Sequence, residues 1–163
     1  MAALAHAIWH EHYAAFLSRA QIDFMLAGRY TPEDLAACVD QPDRWFEVLR
    51  IGGEPTGFLR CVHERPAAFR LAEIYLARAH RGQGHGQQLL VRAETLARDA
   101  GCDAITLYVN RRNALAIQAY RRAGYHVRSV CDVEIGGGFV MADYLMEKPL
   151  PAQEALRAAV RQE

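Results

Sequence analysis

The chain has 163 residues, of which 52% are hydrophobic and 23% are charged, and its 19 basic residues balance its 19 acidic ones. This length and composition predict a single domain with a real hydrophobic core over residues 1–150, followed by a short tail or helix over residues 151–163. A formal net charge of zero provides no overall field that would attract a nucleic acid or a membrane surface. Neither is therefore expected as a partner.

No apolar run approaches the ~20 residues of a membrane span, and no signal peptide is visible. The four cysteines are isolated, without the spacing of a metal or redox pair. Buried free thiols in a reducing cytoplasm are therefore expected. His6 and His10 lie four residues apart on a predicted helix, but no third ligand follows at a recognisable spacing, so we expect no metal.

Helices are predicted first, over residues 2–17, 18–28 and 31–39. The second begins with Ser18 and Gln21, which have the spacing of a capping box. The third begins with a threonine cap, a proline and two acids, which suit the positive end of a helix. The first strand in the sequence is then expected near Trp45, with no strand in residues 1–10.

Strands with two intervening helices fill the rest of the chain. Apolar runs predict strands over residues 45–51, 56–62, 71–77, 104–110, 125–135 and 139–148. Apolar residues at helical spacing predict one helix between Gly86 and Gly101 and another between Asn113 and Gly124. This order of elements predicts an α/β (α+β) fold.

The turn from Arg81 to Gly86, with the sequence RGQGHG, lies between a predicted strand and a predicted helix. Free N–H groups and the dipole at a helix N-terminus attract anions, and glycines let a phosphate approach the main chain. Arg81 adds a full positive charge. The turn therefore predicts a binding site for a phosphorylated small molecule.

The glycine spacing disfavours two common phosphate sites. No Gly-Lys-Ser/Thr follows the turn, as a Walker loop requires. The glycines are spaced Gly-x-Gly-x-Gly, and the next strand ends at Asn110 where a dinucleotide site needs an acid. A Rossmann domain is therefore disfavoured.

A second motif follows about 20 residues later, where a strand reading AITLYVN leads into RRNALAIQAYRRAGY. Together with Arg-x-x-Gly-x-Gly at positions 81, 84 and 86, it resembles the Gcn5-related N-acetyltransferase (GNAT) family. The positions that match the second motif are Asn113, Ala116, Ile117, Tyr120, Gly124 and Tyr125. Two positions depart from the family pattern, His85 and Ala79.

The resemblance implies a mixed, mostly antiparallel, twisted sheet of about six strands with helices on both faces. Its two central strands would be parallel and splayed, and the family's usual first strand is expected to be absent. The resemblance also implies acetyl-CoA as the cofactor, with pantetheine along the third strand and pyrophosphate on the glycine turn. The implied cofactor-binding residues are Leu76, Ala77, Arg78, Arg81, Gly82, Gln83, Gly84, His85, Gly86, Gln87, Asn113, Ala116 and Tyr120.

Two residues are candidates for catalysis. At the family's motif position, Tyr120 is expected near the sulfur as general acid, the alternative being a core aromatic residue. Glu73 is the candidate base, since burial beside Leu71 and Tyr75 on one strand face would raise its pKa. The alternatives are a structural acid and a chain of waters. Tyr108 stands where another branch of the family has a basic glutamate, so that version is disfavoured.

The acceptor pocket is expected between the first two helices and the last hairpin. The sequence IGGGFVMADYLMEKPL near the C-terminus, together with the N-terminal helices, looks like the branch of PaiA-type polyamine acetyltransferases. That resemblance implies a small amine as acceptor, with a peptide N-terminus as the other choice. A non-catalytic acyl-CoA-binding module is the alternative function, and a homodimer is left open. The expected lining residues are Tyr13, Phe16, Asp23, Phe24, Tyr30, Glu134, Phe139 and Asp143.

Overall fold

The computed structural model describes residues 2–39, 41–64 and 68–151. The helices are α1 (Ala2–Tyr13), α2 (Arg19–Leu26), α3 (Pro32–Val39), α4 (His85–Asp99) and α5 (Ala114–Arg122), with a 3₁₀ turn at Arg78–His80. The strands are β1 (Arg44–Ile51), β2 (Glu54–Glu64), β3 (Ala68–Leu76), β4 (Ala104–Asn110), β5 (His126–Gly136) and β6 (Phe139–Pro149). The tail or helix predicted from residue 151 onward falls, except for residue 151 itself, outside the described residues.

The strands form one six-stranded sheet in the order β1-β2-β3-β4-β6-β5. Neighbouring strands are antiparallel except the central pair β3 and β4, which is parallel. This arrangement confirms the predicted mixed sheet. The prediction that the first strand begins near Trp45 is also confirmed, because β1 begins at Arg44 and residues 2–10 lie in α1.

The two central strands separate towards their carboxyl ends. Phe69, Arg70 and Leu71 of β3 pair with residues 105–107 of β4, and beyond that point the two strands share no further pairs. Each continues for several residues while pairing only with its outer neighbour. The predicted splay is confirmed, and the gap leaves main chain of both strands without a partner across it.

Helices cover both faces of the sheet, as predicted. One core packs α4 and α5 against the first face, through residues such as Leu89, Ala93 and Ile117. The second core packs α1 and α2 against the opposite face, where Trp9 and Tyr30 lie against Phe58. Since each helix pair covers a different face of the sheet, the side chains of one strand pack into one core or the other according to the face on which they lie.

A register shift in β3 changes which residues share a face. Arg60 of β2 pairs with Glu73, while the next residue, Cys61, pairs with Leu71, so Ala72 is the extra residue of a bulge. Leu71 consequently packs in the core under α4, and Tyr75 packs in the core under α1. The expectation that Glu73 shares a face with both Leu71 and Tyr75 was wrong, since strict alternation does not survive a bulge.

Two local expectations also need correction. The α1 helix ends at Tyr13, earlier than predicted. The Ser18 hydroxyl accepts a hydrogen bond from the Gln21 N–H, as a cap should, but the Gln21 side chain donates to the carbonyl of Val140 on β6. The reciprocal half of the capping box is therefore replaced by a contact between α2 and the last hairpin. Within the described ranges, no helix is long and apolar enough to cross a membrane.

Candidate active site

The glycine turn between β3 and α4 presents its main chain to solvent. Gly82 and Gly84 have φ of 76° and 86°, in the left-handed region that favours glycine. Gly84 caps α4 without a side-chain hydrogen bond, and the first helical bond runs from the Gln88 N–H to the Gly84 carbonyl. The N–H groups of the first turn, at residues 85–87, therefore lack acceptors within the helix.

The space above this turn is open. A Cβ placed at Gly82, Gly84 or Gly86 would meet no atom within 4 Å. The first two positions need glycine for their backbone conformation, whereas Gly86 has no positive φ. Nothing in the protein itself therefore requires Gly86 to lack a side chain, and close approach of a ligand would explain it.

Positive charge surrounds the turn. Arg81 is exposed and its Nε donates to the carbonyl of Leu76 at 2.9 Å, which fixes the side chain beside the end of β3. Arg78 lies 3.7 Å from Glu11 of α1. The first turn of α4 contains no acidic residue. The turn thus combines a helix N-terminus, two guanidinium groups and accessible amides, which is the chemistry of a phosphate site.

The gap between the splayed strands forms a cavity next to this turn. Its walls come from α1, β3, β4, α5 and β6, and the cavity therefore joins the sheet to helices of both faces. The lining residues are Tyr13, Leu71, Ala72, Glu73, Ile74, Tyr75, Leu107, Tyr108, Val109, Asn110, Tyr120, Met141 and Asp143. Both residues predicted to be catalytic, Glu73 and Tyr120, lie among them.

Tyr120 enters the cavity from α5. Its ring is half-buried and lies 6.0 Å from the ring of Tyr125, centroid to centroid. Burial, with a smaller effect from Tyr13, raises the pKa of Tyr120 above its ordinary value. Its hydroxyl has no hydrogen-bond partner among the described residues. The protonated phenol is therefore available to donate its O–H to a ligand in the cavity.

Glu73 lies in the cavity wall but is already engaged. It is 8% exposed, its Oε2 accepts a hydrogen bond from the Tyr30 hydroxyl at 3.1 Å, and two guanidinium groups lie close. Arg60 Nε is 3.5 Å from Oε2, and Arg29 Nη1 is 3.7 Å from Oε1. Burial raises the pKa of Glu73, while Arg60, Tyr30 and Arg29 oppose the shift.

Asp143 enters the same cavity from β6 and has a different environment. It is 9% exposed, and its Oδ1 is buried without a hydrogen-bond partner within residues 2–39, 41–64 and 68–151. Burial raises its pKa from 3.8 to about 6, with Arg111 opposing the shift and Asp132 adding to it. The cavity therefore holds two buried carboxylates, one engaged by cations and a phenol, the other without hydrogen bonds among the described residues.

Other predicted residues lie around the cavity rather than in its wall. Asn113 caps α5 by accepting from the Ala116 N–H, and its amide nitrogen lies 2.9 Å from Nε2 of His12. Since the amide oxygen faces the helix, the amide nitrogen donates and His12 accepts as a neutral ring. Burial and Arg81 lower the pKa of His12, which agrees with that assignment. Asn113 thus ties α1 to α5.

The predicted acceptor-site residues separate into three groups. Tyr13 and Asp143 line the cavity, and Tyr30 lies behind Glu73. Phe16 packs against the rings of Tyr13 and His12. Phe24 and Phe139 pack with tilted rings, 5.4 Å apart, near the turn of the last hairpin. They and the exposed Asp23 and Glu134 are not among the lining residues.

Sequence reasoning missed several wall residues. Tyr75 shares a hydroxyl contact of 3.1 Å with Tyr13, and Asn110 lies opposite Asp143 in the register of β4 and β6. One available signal was that Tyr75 and Asn110 stand near the carboxyl ends of two adjacent parallel strands, where polar residues converge. Met141 carried no comparable signal. Among the described residues, no three His, Cys, Asp or Glu side chains are placed to hold a metal ion.

Comparisons with known proteins agree with this geometry. The sequence is 35% identical over 125 residues to the mycothiol acetyltransferase of Salinispora arenicola (strain CNS-205). It is 34% identical over 94 residues to the streptothricin acetyltransferase of Streptomyces lavendulae. These matches cover 69% and 57% of this chain. They cover only 40% and 50% of those proteins, so the chain spans half or less of either relative.

Among solved structures, the PaiA N-acetyltransferase from Thermoplasma acidophilum in complex with coenzyme A superposes with a TM-score of 0.75. The identity is 24%, and the match covers 91% of this chain and 89% of that one, so the likeness concerns the fold. The family match itself, to the Acetyltransferase (GNAT) family, extends over residues 2–125 and includes the glycine turn and the α5 motif. The chain therefore belongs to the GNAT family of acetyltransferases.

Proposed function

We propose that the protein transfers the acetyl group of acetyl-CoA to a primary amine by direct attack within a ternary complex. The observation that carries the proposal is the gap between β3 and β4, which has the glycine turn beside it and Tyr120 with two carboxylates in its walls. The PaiA structure, which shares this fold, was solved with coenzyme A. A thioester carrier in the gap would place its diphosphate on the turn and its sulfur near α5.

The chemistry needs a neutral amine and a protonated leaving group. An alkyl ammonium has a pKa of about 10, so a base must take one proton before the nitrogen can attack the thioester carbonyl. The new C–N bond then forms as the C–S bond breaks, and the sulfur takes a proton from the Tyr120 hydroxyl. The second proton on nitrogen restores the tyrosine through solvent. The net products are the amide, the thiol of CoA and one proton.

The acceptor class is argued from the cavity and from the relatives. Mycothiol and streptothricin acetyltransferases, which share 35% and 34% identity with the chain, are named for small molecules. The narrow gap, lined by Tyr13, Tyr75 and Met141, suits a slender amine better than a folded protein surface. A small-molecule amine, polyamine-like in its charge, is the acceptor we favour, and a peptide N-terminus is the second choice.

The test is an assay of free thiol with acetyl-CoA and a panel of amines: 1,4-diaminobutane, spermidine, aminoglycosides and short peptides. Thiol release that depends on the amine, with an acetylated product of matching mass, supports the proposal. Stabilisation of the protein by CoA without amine-dependent release by any member would instead favour a non-catalytic acyl-CoA-binding module. Stabilisation by NAD and not by CoA would contradict both.

A further inference from the structure

Asp143 is the one buried carboxylate of the cavity wall without a hydrogen bond to a described residue. It lies on β6 between Asn110 of β4 and Cys131 of β5, which are its register partners. Asp143 is 9% exposed, and its Oδ1 is inaccessible and has no hydrogen-bond partner in the part of the chain that the structure describes. A buried carboxylate oxygen that lacks a donor is costly, and native structures retain such groups where a ligand or a function needs them.

Glu73, in contrast, has a hydrogen bond and two ion pairs. Its two oxygens face Arg29 and Arg60, and Tyr30 donates to one of them. These contacts join β3, β2 and the segment after α2, which is the pattern of a structural ion cluster. An amine approaching Glu73 would compete with two guanidinium groups, whereas an amine approaching Asp143 would supply a missing donor.

Two charged groups act on Asp143, namely Arg111 after β4 and Asp132 of β5, and titratable groups of other elements line the same cavity. Arg111, which follows β4, favours its ionised form, but the guanidinium of Arg111 is itself paired with Asp132 of β5 at 2.5 Å. Tyr13 of α1 interacts electrostatically with Asp143, and Glu73 of β3 and Tyr120 of α5 line the same cavity. Because Arg111 is also paired with Asp132, its guanidinium offsets the charge of Asp143 only in part.

We propose that Asp143 binds the ammonium group of the acceptor and takes its first proton, so that Asp143 rather than Glu73 is the base of the reaction. This inference rests on the proposed function and names the acceptor class as a cationic alkyl amine. One N–H bond of the ammonium breaks and the proton passes to Asp143, which leaves a neutral nitrogen facing the thioester. Asp143 returns that proton to solvent after the product leaves.

The experiment compares Asp143→Asn, Glu73→Gln and the control Glu147→Gln, with 1,4-diaminobutane as the probe. Glu147 lies on the same strand and face as Asp143, is paired with Arg128 and does not line the cavity. Thermal unfolding establishes that each variant folds, and titration with CoA establishes that the donor site is intact. We expect Asp143→Asn to lower kcat/KM for the amine by about 10²-fold with an unchanged Kd for CoA, as for loss of a general base.

The pH profile separates catalysis from a structural role. Since the pKa of Asp143 is raised to about 6, wild-type kcat/KM should rise through that pH and then level off. Without the base, only amine that is already neutral reacts, so the rate of Asp143→Asn should rise about tenfold per pH unit towards the pKa of the amine. The defect of this variant should therefore shrink at high pH.

The outcomes are distinct. A loss of kcat/KM in Asp143→Asn that shrinks at high pH, beside a wild-type rate and pH profile in Glu147→Gln, supports the assignment. Such a pH-dependent loss in Glu73→Gln but not in Asp143→Asn would assign the base to Glu73 and overturn it. An Asp143→Asn variant that matches Glu147→Gln in rate and pH profile overturns it and leaves the proposed function standing. A wild-type protein that binds CoA but releases no thiol with any amine overturns both proposals together.

Discussion

The two ends of the cleft are built in different ways. The end proposed to bind CoA, here called the donor end, is made by one continuous stretch, from Leu76 to Gly86, and most of what it offers a ligand is main chain in an exposed turn. The end proposed to bind the amine, here called the acceptor end, is made by side chains of five elements, and its contacts join residues far apart in the chain. Tyr13 meets Tyr75 across 62 positions, and Tyr30 meets Glu73 across 43.

This difference predicts that the two ends respond differently to sequence change. A main-chain site depends on backbone conformation and on the absence of side chains, so a single added methyl can block it. A site made of buried side chains depends on packing and on which polar groups find partners. Binding of the donor and reaction with the acceptor should therefore be separable by mutation.

The largest expected separation comes from Tyr120→Phe. The variant removes a hydroxyl that bonds to no described residue, so no partner is left unsatisfied and the fold should be unaffected. We expect kcat to fall by about 10²-fold or more, with the Kd for CoA within about twofold of wild type. The control is Tyr125→Phe, whose hydroxyl is buried in the core under α4 and α5. Equal turnover in both variants would remove Tyr120 from the mechanism.

The second prediction concerns how much the burial of the Asp143 carboxylate lowers the free energy of unfolding. Its pKa is about 6 in the folded protein and 3.8 ordinarily, so the folded state binds more protons between these values. Stability therefore falls as pH rises from about 4 to about 6, and the full cost is present above that range. We expect Asp143→Asn to raise the free energy of unfolding at pH 7.5 by about 1–3 kcal/mol, and by little at pH 4.

Urea unfolding at the two pH values measures this effect. Glu147→Gln, which loses an ion pair with Arg128, should be neutral or slightly destabilising at pH 7.5. A destabilised Asp143→Asn at pH 7.5 would mean that the carboxylate has stabilising partners in solution. In that case Asp143 would not be a source of instability at the acceptor end.

The third prediction tests the donor end through Gly86→Ala. The added methyl meets no protein atom within 4 Å, and Gly86 has no positive φ. The free energy of unfolding should therefore rise by a few tenths of a kcal/mol, since alanine favours the helix over glycine. Affinity for CoA should nevertheless fall about tenfold, because the methyl occupies the approach to the main chain. Calorimetric titration with CoA and thermal unfolding measure the two effects.

Gly84→Ala is the informative partner of that variant. At a φ of 86° an alanine is strained by about 1–2 kcal/mol, so this variant should lose both stability and affinity. If Gly86→Ala binds CoA as wild type does, the ligand does not approach the main chain of this turn.

The smallest expected effect belongs to Arg81→Gln. The guanidinium is exposed and screened, so its loss should weaken CoA binding by only about threefold to tenfold, and less at high salt. Arg50→Gln is a matched control, because Arg50 is also exposed and also donates to a backbone carbonyl, that of Gly53. A difference in Kd that is independent of salt would argue against a direct charge effect.

Much of the fold was predictable because its signals are local. The strand from Ala104 to Asn110 and the capping of α5 by Asn113 followed from residue pattern and spacing. The mixed sheet with its splayed central pair followed from the resemblance to a family, carried by the glycine turn and the α5 motif. Element ends, such as that of α1 at Tyr13, depended on packing and were less accurate.

The sequence by itself determined the donor end, since helix capping, glycine conformation and positive charge are properties of one short segment. Only the tertiary structure decided the acceptor end. The bulge at Ala72 sets Leu71 and Glu73 on opposite faces, and the packing of β2 and the segment after α2 gives Glu73 its cations. The packing of β6 between β4 and β5 leaves Asp143 buried without a hydrogen-bond donor among the described residues, because a carboxylate's partners are fixed by which elements meet around it.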